Sequence, residues 1–277
     1  MNLHNQKSLS VQIINRAMEY GASIAGIVNI QDLKKSPSHN ISGGMPKFDG
    51  VGIKTVEGKK PGEVQWPDEA ESAIVITVAH PKEKPDYDWW RKGLKGGTKG
   101  NACLISVFSK LADWLETEKQ IKCIKIPYHI EHGAVFMKDA AVLGGLGCIG
   151  KNNMVITPEF GPRVRLRVML MNVDLPSTGI SEFDPCIDCK EYCRKVCPQK
   201  AFDEKIYSEE LFKRGEMPGR TGVYNRIRCN VQMEKDIENG KAVKIEASNI
   251  SEYEVKHCRR CELICPVGKR KESSPSL

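Results

Sequence analysis

Eight of the chain's eleven cysteines crowd into the stretch from Cys186 to Pro266. They open as Cys186-x2-Cys189-x3-Cys193-x3-Cys197-Pro198 and close as Cys258-x2-Cys261-x3-Cys265-Pro266, with Cys229 alone between the two runs. Thiolates so spaced bind soft metal centres, and eight is the number that holds two [4Fe-4S] clusters at four ligands each. A short loop wraps three corners of a cubane, and the fourth corner needs a ligand from elsewhere in the chain. Paired C-x2-C units could instead form tetrahedral zinc sites, but zinc accounts for neither Cys-Pro ending. Disulfides need an oxidising compartment, of which the sequence gives no sign.

The first run differs by one residue from the bacterial pattern C-x2-C-x2-C-x3-C-P, in which the last cysteine ligates the other cluster. Carried over, that crossover assigns Cys186, Cys189, Cys193 and Cys265 to one cluster. Cys197, Cys229, Cys258 and Cys261 fall to the second.

The elements that must position these groups belong to a chain of 277 residues, long enough for a real core and two domains. An apolar fraction of 40% and a charged fraction of 28% describe an ordinary globular composition. No apolar run reaches the roughly 18 residues of a membrane span. The start, Met1 to Lys7, has no apolar signal core. A cytoplasmic protein with no membrane partner is expected. The net charge of +7 suits an acidic electron donor or an RNA, and is also common in proteins that bind neither.

Spacing predicts an amphipathic helix over residues 7–20, a strand at 24–28 and a long irregular excursion over 34–67. The run Ala73 to Ala79 reads as a buried strand. Leu104, Val107, Phe108, Leu111 and Leu115 mark one helix face. Strands are expected at 123–126 and 154–157, with a helix over 135–143 between them. Residues 164–170 alternate with Arg163, Arg165 and Arg167, which predicts a half-buried strand with a solvated basic face. A boundary near 174–185 divides an α/β part, 1–178, from a cysteine-rich part, 179–268. Residues 269–277 are expected to be a frayed tail.

Gly145-Leu146-Gly147-Cys148-Ile149-Gly150 matches the dinucleotide fingerprint letter for letter. That motif needs a strand before it and a helix after it, and here the order is reversed, which argues against a nicotinamide site. The glycines would let the backbone lie flat against something large and planar, or simply turn tightly.

The segment Lys138 to Asn152, running on into Thr157-Pro158-Glu159-Phe160-Gly161, resembles the central signature of the epoxyqueuosine reductase-like family, which is related to reductive dehalogenases. The resemblance implies an α/β (α+β) fold: a nitroreductase-like, cobalamin-binding domain followed by a ferredoxin-like domain with two [4Fe-4S] clusters. It implies that Gly145, Leu146, Gly147, Cys148, Ile149, Gly150, Lys151 and Asn152 lie along the corrin of a bound cobalamin. Glu131 aligns with the family's catalytic aspartate, and Cys148 stands where the family carries an aromatic.

The expected chemistry is a cobalamin-dependent, iron–sulfur reductase. Electrons would pass singly from a small donor protein of ferredoxin or flavodoxin type, through the clusters, to cobalt and then to an organic substrate. Glu131 is the candidate proton donor, with Lys138 and His129 as further catalytic candidates and Tyr128 and His132 nearby. The competing reading makes Glu131 an exposed carboxylate paired with Lys138 or His132. Cys103 and Cys123 are expected to be packing residues. Two other functions fit the same parts: a module that reduces a corrinoid protein, or a true epoxyqueuosine reductase with tRNA as its partner.

Overall fold

The computed structural model describes residues 3–42, 47–60, 62–212, 217–245 and 248–268. Chain order runs α1 (Leu3–Glu19), β1 (Ile24–Asn29), α2 (Ile30–Lys34), α3 (Pro37–Ile41), β2 (Ser72–Ala79), β3 (Trp90–Arg91), α4 (Lys99–Glu118), β4 (Cys123–Ile124) and α5 (Met137–Leu143). It continues with β5 (Cys148–Ile149), β6 (Val155–Ile156), β7 (Val164–Met171), α6 (Tyr192–Lys195), α7 (Glu209–Phe212), α8 (Arg226–Glu238), β8 (Lys241–Ile245), β9 (Ser248–Val255) and α9 (Arg260–Leu263).

The central sheet is antiparallel throughout, in the order β1-β2-β7-β4. Successive side chains of a strand point to opposite faces, and β2 is apolar on both. Ile74, Ile76 and Val78 join Ile13 and Ala17 of α1 and Leu104, Leu111 and Leu115 of α4 in one core. Ala73 and Val75 join Ala140 and Ala141 of α5, with Leu146, in a second core on the opposite face. A mixed α/β architecture with helices on both faces of the sheet results. Thr98 starts α4 by accepting the Asn101 N–H at 3.1 Å, satisfying one of the donors a helix start leaves open.

Some expectations need correcting in detail. The strand at 123–126 ends at Ile124, before Pro127, and the helix expected from residue 135 begins at Met137. The excursion over 34–67 includes α3. The arginine face of β7 is not solvated. Arg163 is 4% exposed, Arg165 pairs with Asp88, and the Arg167 guanidinium lies 5.4 Å from the Tyr128 ring centre. Residues 269–277 lie outside the described residues.

A second sheet, β3-β9-β8, ties the two halves of the sequence together, because Trp90 and Arg91 pair with Val255 and Glu254. Arg91 also forms an ion pair with the buried Glu254 at 2.8 Å. Near it, Arg259 bonds to the His80 carbonyl at 2.7 Å and to Glu262, and faces Asp88 at 3.4 Å. Burial lowers the His80 pKa to about 4, against the opposing pull of Asp88, so this ring is neutral near pH 7.

Candidate functional site

The eight clustered thiols fall into two electrostatic neighbourhoods. Burial, and then Cys186, Cys265 and Cys189, push the Cys193 thiol up to about 11. Cys265 is raised by burial, with Cys186 and Cys189 adding to it. Cys186, Cys189, Cys193 and Cys265 also line one recess, with Tyr192, Pro266 and Lys151. The other four gather separately. Cys261 is raised by burial and by Cys229, Cys258, Cys193 and Cys197. Cys229 is raised by burial, with Cys197 and Cys258 adding to it. Cys193 and Cys261 feel one another across the gap between the two quartets.

This donor set fits two cationic centres. Bare thiolates so close together and so far from water repel one another, and each thiol's pKa rises accordingly. Iron at the centre of each quartet would reverse that repulsion, because a coordinating thiol is deprotonated by the metal's charge. Cys103 and Cys123 stand apart, packed against the α1–α4 core.

The loops bearing the thiols are braced from the central sheet. Arg163, just ahead of β7, donates to the carbonyls of Glu262 at 3.4 Å and Cys265 at 3.3 Å, and to that of Val267. Gly161 reaches the same segment. A Cβ there would come within 2.2 Å of the Val267 carbonyl oxygen, and its φ of +58° already disfavours other residues. Asp184 secures the opening of the first run. It accepts the Cys186 N–H at 3.1 Å and a two-pronged bond from Arg220. Cys148 lies 3.8 Å from the same carboxylate, and burial followed by Asp184 pushes its thiol up to about 12.

Beside the second quartet is a cavity of about 290 Å³ walled by Cys229, Phe48, Lys138, Asn153, Tyr224 and Arg226. A larger cavity of about 450 Å³ shares Phe48, Lys138, Asn153, Tyr224 and Arg226, and adds Glu131, Phe136, Ile149, Tyr207 and Met217. The larger volume is that of an ordinary cofactor pocket. Its walls are mostly aromatic and aliphatic, with a few charged groups converging from α5, α8 and the turn at Ile130–His132. No histidine lines either cavity among the described residues.

Glu131 is 3% exposed, so the reading as an exposed loop carboxylate does not hold. One of its oxygens, Oε1, accepts from Arg226 at 3.3 Å. The other, Oε2, is buried without a hydrogen-bond partner. Such an atom is costly unless something else fills the site. Lys138 donates to the Asn153 carbonyl at 2.7 Å, and desolvation lowers its pKa to about 8. His129 packs edge-on against Tyr128 and His132, and burial lowers its pKa. It is not among the residues lining the cavity.

The glycine-rich segment is preceded by α5, contains β5 and is followed by β6. Its glycines face protein. A Cβ on Gly145 would meet the Gly179 carbonyl at 2.7 Å, and one on Gly147 the Ile156 carbonyl at 2.0 Å. Gly150 packs against Ile156. Leu146 belongs to the α5 core, and Cys148 sits at Asp184. Ile149 lines the large cavity, whereas Lys151 and Asn152 line the thiol recess.

Several residues of the site carried no signal in the spacing. Arg226 and Tyr224 precede Cys229 by three and five positions and turn the α8 start into cavity wall. The capping side chain of Asn225, which accepts the Arg228 N–H at 3.0 Å, could have marked that helix start. Ser38, Lys47 and Phe48 come from the irregular excursion.

No family model matches the chain. The chain is 26% identical over 209 residues to an epoxyqueuosine reductase of Lactococcus garvieae, covering 73% of this chain and 53% of that one. It therefore spans about half the length of that relative. A solved epoxyqueuosine reductase with an epoxyqueuosine-modified tRNA-Tyr stem loop superimposes with a TM-score of 0.62 at 19% identity, over 96% of this chain and 67% of that one. A reductive dehalogenase whose structure suggests a mechanism for B12-dependent dehalogenation matches with a TM-score of 0.56 at 16% identity, over 94% of this chain and 32% of that one.

Proposed function

We propose that this chain, which belongs to the epoxyqueuosine reductase-like family that also takes in reductive dehalogenases, is a cobalamin-dependent iron–sulfur reductase. One observation carries the reading: of two thiol quartets, the second borders, through Cys229, a cavity that shares Phe48, Lys138 and Arg226 with the larger one whose wall holds Glu131. The first quartet would hold one [4Fe-4S] cluster and the second the other. The proposed organisation is a nitroreductase-like corrinoid domain over 1–178 and a ferredoxin-like domain over 179–268, working in the cytoplasm with a small electron-donor protein. Among the described residues no helix is long and apolar enough to cross a membrane.

Phe48, Ile149 and Tyr224 would hold the corrin, and among the described residues no histidine lines the cavity. Bound there, the corrinoid supplies reducing chemistry at cobalt, and the clusters supply single electrons. The chain's own groups do the rest. Arg226 fixes one oxygen of Glu131 and leaves Oε2 without a hydrogen-bond partner, so Oε2 is the atom that would hold the proton. A carboxylic acid within hydrogen-bond reach of a substrate atom is a competent proton donor. Lys138, tethered to Asn153, adds a second cationic group to the same wall as Arg226. Phe136, Met217 and Tyr207 exclude water around them.

Protein purified without oxygen should bind eight irons per chain, and titration with cobalamin should shift the cobalt spectrum. Zinc in place of iron, or no spectral change with any corrinoid, overturns the reading. A second reading, a reductase of epoxyqueuosine in tRNA, is favoured by the curated relatives. It requires turnover of an epoxyqueuosine stem loop and binding that weakens steeply with salt.

A further inference from the structure

We propose that the face over the first thiol quartet is the docking surface for a small acidic electron-carrier protein. The inference rests on the iron–sulfur reading above and assigns its electron entrance. The two quartets are not equivalent. Cys229 of the second lines the cavity, and Cys193 and Cys261 lie within electrostatic reach of one another. That arrangement makes the second quartet the exit towards the cavity and leaves the first as the entrance.

The surface over the first quartet is apolar at its centre and cationic around it. Ile187 lies between Cys186 and Cys189 and is 67% exposed, Tyr192 precedes Cys193 at 44%, and Ile264 precedes Cys265 at 40%. Exposed apolar side chains gathered beside one group, rather than scattered singly, are what marks a contact surface. Lys190 and Lys195 flank the same thiols and are exposed. α6, which carries Tyr192 and Lys195, packs on α9, whose first residue is the exposed Arg260. None of these three cations forms an ion pair among the described residues. The nearby Glu191 is already engaged by Lys151 and Arg194, which leaves Asp188 as the opposing exposed charge next to these thiols.

A transient redox partner uses such a patch: a few apolar contacts seat it, and complementary charge sets its encounter rate. Each encounter passes one electron, oxidising the carrier and reducing the first cluster, with no bond made or broken.

The test uses the iron-loaded protein and a reduced, acidic plant-type ferredoxin as probe, with the triple variant K190E/K195E/R260E. Iron content is measured first, and K195E alone serves if the triple variant loads poorly. At low salt, the second-order rate of cluster reduction by the ferredoxin should fall by at least about 10-fold in the variant. The wild-type rate should fall with added salt, the variant's should not, and reduction by dithionite should be the same in both. Affinity for oxidised ferredoxin, measured by calorimetry, should weaken in parallel. An unchanged ferredoxin rate in an iron-replete variant overturns the proposal. So does competition by an unmodified tRNA stem loop, which would make this a nucleic-acid face. Absence of iron from the wild type would instead overturn the iron–sulfur reading itself.

Discussion

Arg163 offers the sharpest test of how the sheet holds the cysteine loops. Met in its place keeps much of the length and apolar stem but removes every donor. The guanidinium is buried and donates to three carbonyls of the closing cysteine run, two of them at 3.3 and 3.4 Å and the third, Val267, closer. A hydrogen bond from a charged donor contributes about 1.5–3 kcal/mol, and the two long ones belong at or below the bottom of that range. The Val267 carbonyl is also left unsatisfied in a protein interior. Allowing for the desolvation that Met avoids, the substitution should cost about 3–4 kcal/mol. That corresponds to a fall of roughly 5–7 °C in the melting midpoint of a chain this size. The measurement is thermal loss of the visible cluster absorption in anaerobically reconstituted protein, together with iron per chain. Because Cys265 lies between two of the bonded carbonyls, R163M should lose one cluster's iron more readily than the other's. Arg163→Lys, which retains one donor group, should recover part of the loss. A wild-type midpoint and full iron content in R163M would refute the bracing role.

Glu131→Gln should keep the Arg226 contact and leave corrinoid affinity and iron content intact. Turnover of any substrate accepted by the wild type should drop about 100-fold or more, and unchanged turnover removes Glu131 from proton donation. Lys138 is held near a pKa of about 8 in the folded protein against 10.5 when free. Between those pH values the unfolded chain binds the extra proton, so stability should rise with pH across this window. Lys138→Met should abolish that rise and be the more stable protein at pH 7, as chemical denaturation at several pH values would reveal. Gly161→Ala forces a Cβ against the Val267 carbonyl at a positive φ and should cost at least about 1 kcal/mol by the same denaturation assay. No change would mean that the segment can shift freely.

The parts of this fold that sequence spacing exposed are those governed by local periodicity. α1 and α4 follow from a repeat of about 3.6 residues and β2 from an unbroken apolar run, since α1 and α4 each turn one face to a core and β2 is buried on both faces. The arginines in and just ahead of β7 escape such a reading for the opposite reason. Their partners, Asp88 and the carbonyls near Val267, lie 77 and about a hundred residues away in the chain, and an alternating basic pattern looks the same whether it faces water or buried acceptors. In the glycine-rich segment, a missing side chain can admit a ligand or a neighbouring backbone, and Gly147 meets the backbone of β6. The cysteine spacing suggested two sets of ligands, yet it could not reveal that Arg226, three residues before Cys229, reaches across to Glu131.

The account stands or falls on how the thiols are shared between two clusters. Two double serine variants, C193S/C265S and C261S/C265S, test this most directly when iron and electron spin resonance are measured after anaerobic reconstitution. If Cys265 completes the first quartet, C193S/C265S should retain about four irons and one intact cluster signal. C261S/C265S should compromise both clusters. The reverse pattern, with both clusters damaged in C193S/C265S and one intact in C261S/C265S, would contradict the arrangement on which the electron path depends.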